Sequence, residues 1–281
     1  MEAFCLTLIP ADSGAVTFLV LGSVSAVLMS VAKAGFGGSI GILSFPLMIY
    51  ACGGRPMVAA GIMLPMLIIC DYAAIIPWRG KWNLRAVGLL LPGSAAGICL
   101  GWLALWGFQQ LGRAGPTAEQ EQIANACLKL SVGAIALLFV VLQAVRAARA
   151  RMPAFRPVLW QGACIGAAAG LTSTIAHAAG PIVSMYMLPQ GMPKGRFVAS
   201  TVLYYWIGNQ LKLAPYIALG LLDMDTLVSA LALMPAVVIG TAAGLLLHKR
   251  VPQRSFTGVV YVLLALAGAH LAFKAAQTLW F

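Results

Sequence analysis

The sequence predicts an all-α integral membrane protein made of two inverted repeats, each a re-entrant helical hairpin followed by three transmembrane helices. Three observations lead there. Of 281 residues, 61% are hydrophobic and only 9% are charged, against about 25% charged in a soluble domain. The apolar residues fall in successive stretches divided by short clusters of Gly, Pro and charge, as a membrane bundle requires. The order of prolines, glycines and polar residues in the first half recurs in the second. No stretch remains for a soluble catalytic domain.

The N-terminal stretch carries Glu2 and Asp12 and no Lys or Arg before Lys33, so it lacks the basic leader of a cleaved secretory signal and the first apolar stretch is expected to be retained. Apolar segments then lie near 15–32, 39–52, 57–77, 86–106, 123–145, 158–174, 181–190, 196–219, 226–247 and 256–275. Two are too short to cross. At 1.5 Å per residue, Ser39–Cys52 reaches about 21 Å and Pro181–Gln190 about 15 Å, against roughly 30 Å of hydrocarbon. Each follows a longer segment through a small-residue break, Lys33-Ala-Gly-Phe-Gly-Gly38 and Thr172-Ser-Thr-Ile-Ala-His-Ala-Ala-Gly180. The unit predicted is a re-entrant hairpin, since broken backbone at membrane depth is tolerated only when buried in protein or lining a cavity.

Pro92-x4-Gly97-x3-Gly101 recurs as Pro235-x4-Gly240-x3-Gly244, and Asp71 and Pro77 map onto Asn209 and Pro215. The first repeat is therefore expected over 1–145 (hairpin 15–52), a basic cytoplasmic connection over 146–157, and the second repeat over 158–281 (hairpin 158–190). Three spans per half is an odd number, so the halves are inverted. With both termini outside, the inside connections hold twelve bases, at 79–85, 146–156, 194–196 and 249–254. The outside holds three: Arg55, Arg113 and Lys274. That asymmetry follows the positive-inside rule. It also explains most of the +11 net charge without nucleic acid as a partner. The six cysteines are scattered singly with no Cys-x-x-Cys pair, and are expected to be small buried hydrophobes. No metal and no cofactor is expected.

Inverted hairpins bring two helix N-termini together near the midplane, and unpaired N–H groups with the positive dipole end attract an anion. Gly35, Gly37 and Gly38 would admit a ligand close to the backbone, Ser39 could cap or donate, and Gly180 closes the second break before Pro181 at a first helical position. The bland alternative for these glycines, and the expectation for Gly97, Gly101, Gly240 and Gly244, is close helix packing. Ionisable residues within the membrane are costly and usually have a role. Lys33 could attract the anion or pair with Asp71, which could instead carry a proton. His177, with an ordinary pKa near 6.5, suits a bond to substrate or proton coupling. Thr172, Ser173 and Thr174 could donate to anion oxygens or bond their own helix. Asn209 and Lys212 share a helix face.

Lys33-Ala-Gly-Phe-Gly-Gly-Ser-Ile-Gly41 before Phe45-Pro46-Leu47, Trp78-Arg-Gly-Lys-Trp82, and Ala169-Gly-Leu-Thr-Ser-Thr-Ile-Ala-His-Ala-Ala-Gly-Pro181 resemble the paired motifs of TauE/SafE proteins over about residues 15–275. The resemblance implies a secondary transporter exporting sulfite, sulfoacetate or a related sulfur-containing anion across a bacterial inner membrane. Protons are a candidate coupling partner, and a homodimer is compatible with the sequence. An uncoupled anion channel or uniporter is the alternative. An intramembrane enzyme is remote, because there is no His-Glu-x-x-His, no Gly-x-Ser-x-Gly and no pair of membrane aspartates.

Overall fold

A computed structural model describes residues 14–38, 41–113, 118–148 and 158–250, together with 269, 273 and 277. The expected helix 256–275 lies outside the described residues except at 269 and 273. So do Ser39 and most of the connection 146–157. The described residues form helices and turns with no strand. In chain order the α-helices are α1 Ala15–Phe36, α2 Ser44–Ala51, α3 Pro56–Ile75, α4 Leu84–Arg113, α5 Ala118–Ala148, α6 Leu159–Ala176, α7 Ala179–Met187, α8 Lys194–Ala218, α9 Met224–Ala232 and α10 Met234–Arg250. Short 3-10 turns, Gly41–Leu43 and Leu188–Gln190, adjoin α2 and α7.

Among the described residues, three helices are long and apolar enough to cross a membrane, Ala15–Phe36, Pro56–Ile75 and Leu84–Leu111, and α9 with α10 makes a fourth if the bent pair is one span. The protein is a multi-pass membrane protein. The 25 residues of α8 reach about 37 Å, yet α8 is less apolar because it carries Ser200, Thr201, Asn209 and Lys212, all buried. These four side chains face protein rather than lipid. The sequence predicts one helix over 226–247, whereas α9 and α10 meet at a 51° bend. Pro235 lies just beyond the joint at Leu233, where it supplies no N–H and its ring crowds the carbonyl of Leu231.

The two short helices that follow the breaks, eight residues in α2 and nine in α7, reach about 12 and 14 Å and cannot span a bilayer. Both fold back on the helix before them. Ser25 of α1 donates to the Ser44 carbonyl at 2.7 Å, while Val183, Tyr186 and Met187 of α7 share a buried cluster with Ala169 of α6. The breaks have one backbone form. α1 ends at Gly37 (φ 68, ψ 30) and α6 at His177 (φ 50, ψ 30). The next N–H then reaches back six residues, from Gly38 to Ala32 at 2.9 Å and from Ala178 to Thr172 at 3.3 Å, one residue further than the 6→1 bond of a Schellman ending. Further side chains bond the exposed carbonyls alike: the Trp78 indole donates to Ala34 at 3.3 Å and the Tyr216 hydroxyl to Thr174 at 2.8 Å.

Glycines hold the largest helix contacts. A Cβ on Gly97 or Gly93 of α4 would overlap the backbone of Ala167 or Ala163 on α6. One on Gly240 or Gly244 of α10 would come within 2.9 Å of Val27 or Val31 on α1. Among membrane helices, which gain little from mutual apolar burial, such close backbone approach supplies the packing.

Candidate functional site

The two breaks open on one cavity. The first contributes Lys33, Gly38, Gly41 and Ser44, and the second contributes Ser173, His177, Ala179 and Gly180. Met29 of α1, Met63 and Leu67 of α3, and Tyr205, Asn209 and Lys212 of α8 complete the wall. Met63 and Leu67 lie near the middle of α3, and Tyr205 and Asn209 near the middle of α8, so the cavity sits at mid-height of both helices. Its volume of about 40 Å³ is room for roughly three water-sized spheres. First-turn residues of α2 and α7 line it; α7 starts just after the left-handed break, where first-turn N–H groups lack intrahelical partners, whereas α2 continues the 3-10 turn Gly41–Leu43 and its third residue, Pro46, has no N–H.

The charged groups are arranged unequally. The Lys33 ammonium sits 2.5 Å from the Asp71 carboxylate, 3.3 Å from the Leu67 carbonyl and 5.6 Å over the Tyr205 ring. Asn209 donates to the other Asp71 oxygen at 2.6 Å. Asp71 is buried behind Lys33 rather than on the cavity wall. Lys212, 1% exposed, has only neutral hydrogen-bond partners among the described residues: the Ser173 carbonyl at 3.3 Å, the Ser173 hydroxyl at 3.2 Å and His177 Nδ1 at 3.1 Å. No carboxylate lines the cavity among the described residues.

His177 is the sole non-glycine in the left-handed region among the described residues, a conformation that costs an L-residue energy and concentrates at functional sites. That conformation carries the ring between two helices. Nε2 lies 3.2 Å from the Ala60 carbonyl, which can only accept, so Nε2 bears the proton in that bond. Nδ1 faces the Lys212 ammonium, which can only donate, so Nδ1 presents its lone pair. Phe45 of α2 packs on the ring edge at 5.4 Å between centroids.

Of the sequence candidates, Lys33, Gly38, Ser173, His177, Gly180, Asn209 and Lys212 meet at the cavity, with Asp71 directly behind. Four others face elsewhere. Gly35 packs on Gly244, and its carbonyl accepts from His248 at 2.6 Å. Gly37 is buried against Phe197 and Thr201. The Thr172 and Thr174 hydroxyls turn back to carbonyls of their own helix. Ser39 lies outside the described residues. Sequence reasoning missed Tyr205, whose hydroxyl donates to the Gly37 carbonyl at 3.1 Å. It also missed Ser44, Met29 and Met63. Tyr205, Asn209 and Lys212 follow an i, i+4, i+7 spacing, one helix face, and that pattern was readable.

A family model described as "Sulfite exporter TauE/SafE" matches residues 20–271. No curated protein and no solved structure matches the chain.

Proposed function

Because the chain belongs to the sulfite exporter TauE/SafE family, we propose that it is a secondary transporter, not an enzyme, that exports a small sulfur-containing anion across the bacterial cytoplasmic membrane from the cavity between its two broken helices. One observation carries this reading. Among the described residues a buried lysine, Lys212, with only neutral partners shares a small cavity with the first turns of two helices and with no carboxylate on its wall. In a low-dielectric interior that arrangement attracts an anion. Size favours sulfite, with four heavy atoms, over sulfoacetate, with eight, in a cavity of about 40 Å³.

The same reading includes two inverted repeats. Asp71 and Asn209 stand in equivalent positions 138 residues apart, and they bond each other. A residue touches its own equivalent when both lie beside the axis relating the halves. The paired Gly37 and His177 caps, the Trp78 and Tyr216 bonds, and the swapped packing of α4 on α6 and α10 on α1 are in keeping with such an axis. The test is sulfite uptake into proteoliposomes. Lys212→Met should lower the rate at least tenfold while folded protein remains in the membrane, the scale of losing a bond to a charged group, about 1.5–3 kcal/mol. Wild-type flux in Lys212→Met would place the anion elsewhere. Flux that neither saturates nor shows counterflow would make the protein a channel.

A further inference from the structure

We infer that Asp71 sets the charge of the anion this cavity accepts: by neutralising Lys33 it leaves one net positive charge, so the site takes singly charged oxyanions such as hydrogen sulfite and rejects dianions of the same size. The inference rests on the anion-site reading above and sharpens it to a substrate class.

The charge count follows from the contacts. Lys33 lines the cavity, but its ammonium is held 2.5 Å from Asp71, and together they sum to zero. Asn209 fixes the second carboxylate oxygen at 2.6 Å. Lys212 and His177 are joined Nζ to Nδ1 at 3.1 Å. With the pair holding the proton of a lysine ammonium, the two residues carry one positive charge between them, whichever nitrogen of that bond has the shared proton. Tyr205 adds none, since its hydroxyl donates to the Gly37 carbonyl. No other Asp, Glu, Lys or Arg lines the cavity among the described residues. A monoanion therefore brings the formal side-chain charge of the site to zero. A dianion leaves one formal charge that only the partial charges of the two helix N-termini can offset, which a buried site tolerates poorly.

Asp71 does not touch the cavity space; it acts through Lys33 and is a positioning residue. Its role is separable from mere support of the fold by charge arithmetic. Asp71→Asn leaves two net positive charges, Lys33→Gln leaves none, and the double variant returns to one.

The experiment measures competition for sulfite uptake in proteoliposomes by methanesulfonate, singly charged, and sulfate, doubly charged, which have the same number of heavy atoms. Wild type should be inhibited by methanesulfonate well below the concentration at which sulfate acts. Asp71→Asn should shift the ratio toward sulfate by roughly tenfold or more, the scale of one unit charge in a low-dielectric site. Lys33→Gln should respond to neither, and the double variant should regain the methanesulfonate preference. The double variant also guards against misfolding, because removing both members of a buried ion pair is far milder than stranding one. Equal competition by both ions in wild type overturns the inference while leaving an anion site intact. So does a double variant that fails to regain the preference. Sulfite uptake that neither ion inhibits, or no uptake at all, overturns the site reading and this inference with it.

Discussion

The backbone at residue 177 reverses the usual ranking of Ala and Gly, and that reversal can be measured. His177→Ala and His177→Gly lose the same ring contacts, to the Ala60 carbonyl at 3.2 Å and to Lys212 at 3.1 Å. Their difference therefore isolates the backbone. Inside a helix Gly is about 1 kcal/mol less stable than Ala. At φ 50 a Cβ crowds the following carbonyl and costs about 1–2 kcal/mol, whereas Gly bears no penalty. The Gly variant should thus be the more stable by about 1 kcal/mol, a shift of roughly 2–4 °C in Tm for a chain of this size. Tm is read in detergent as the fraction of protein that stays monodisperse after heating. Both variants should transport poorly, since Lys212 loses a partner in each. An Ala variant that melts above the Gly variant would show that α6 runs through residue 177 unbroken, and the two-break cavity would fall with it.

Gly97→Val should cost about 1–3 kcal/mol and reduce the yield of folded protein, because its Cβ would lie within 2.9 Å of the Ala167 backbone. Gly88→Val on the same helix meets nothing within 4 Å and should change stability by no more than about 0.5 kcal/mol; equal losses in the two would deny the α4–α6 contact its role. Cysteine labelling in a Cys-free background should place 79–85, 146–156 and 249–254 inside, and 113–121 and 223–225 outside. Outside labelling of 146–156 would overturn the inverted arrangement.

The breaks were legible because they are local. Gly37 and Gly38 tolerate positive φ, and Pro181 opening a short apolar stretch marks a helix start. Which break residues reach the cavity is not local, but helical periodicity narrows it. Successive residues point 100° apart, so of Thr172, Ser173 and Thr174 one can face a given side, and Ser173 does. Gly35, two residues beyond Lys33, points away from Lys33 and packs on Gly244. Ser44 and Met29 were invisible because they meet only when α2 folds back along α1, a contact no spacing within either helix records. The bend between α9 and α10 was hidden differently. The expected repeat matches Pro235 to Pro92, which sits inside the continuous helix α4, and that match argued for a straight helix.

That inequality between equivalent positions bears on how two similar halves could carry one anion. The backbone devices occur in both halves: a left-handed residue ends each broken helix, and a side chain bonds each exposed carbonyl. The charges do not. The first half supplies Lys33 and Asp71, which cancel, and the second supplies Lys212 and His177, which leave one positive charge. If the halves are inverted repeats that exchange conformations to open the site to each side in turn, residues beside their axis move least, and the proposed repeat places Asp71 and Asn209, which bond each other, beside it. Lys33 would stay neutralised through the cycle while the walls around Lys212 opened first on one side and then on the other. Separating Lys33 from Asp71 at any step would strand two buried charges, at several kcal/mol each. The ion pair is therefore suited to be a fixed pivot and unsuited to be a gate.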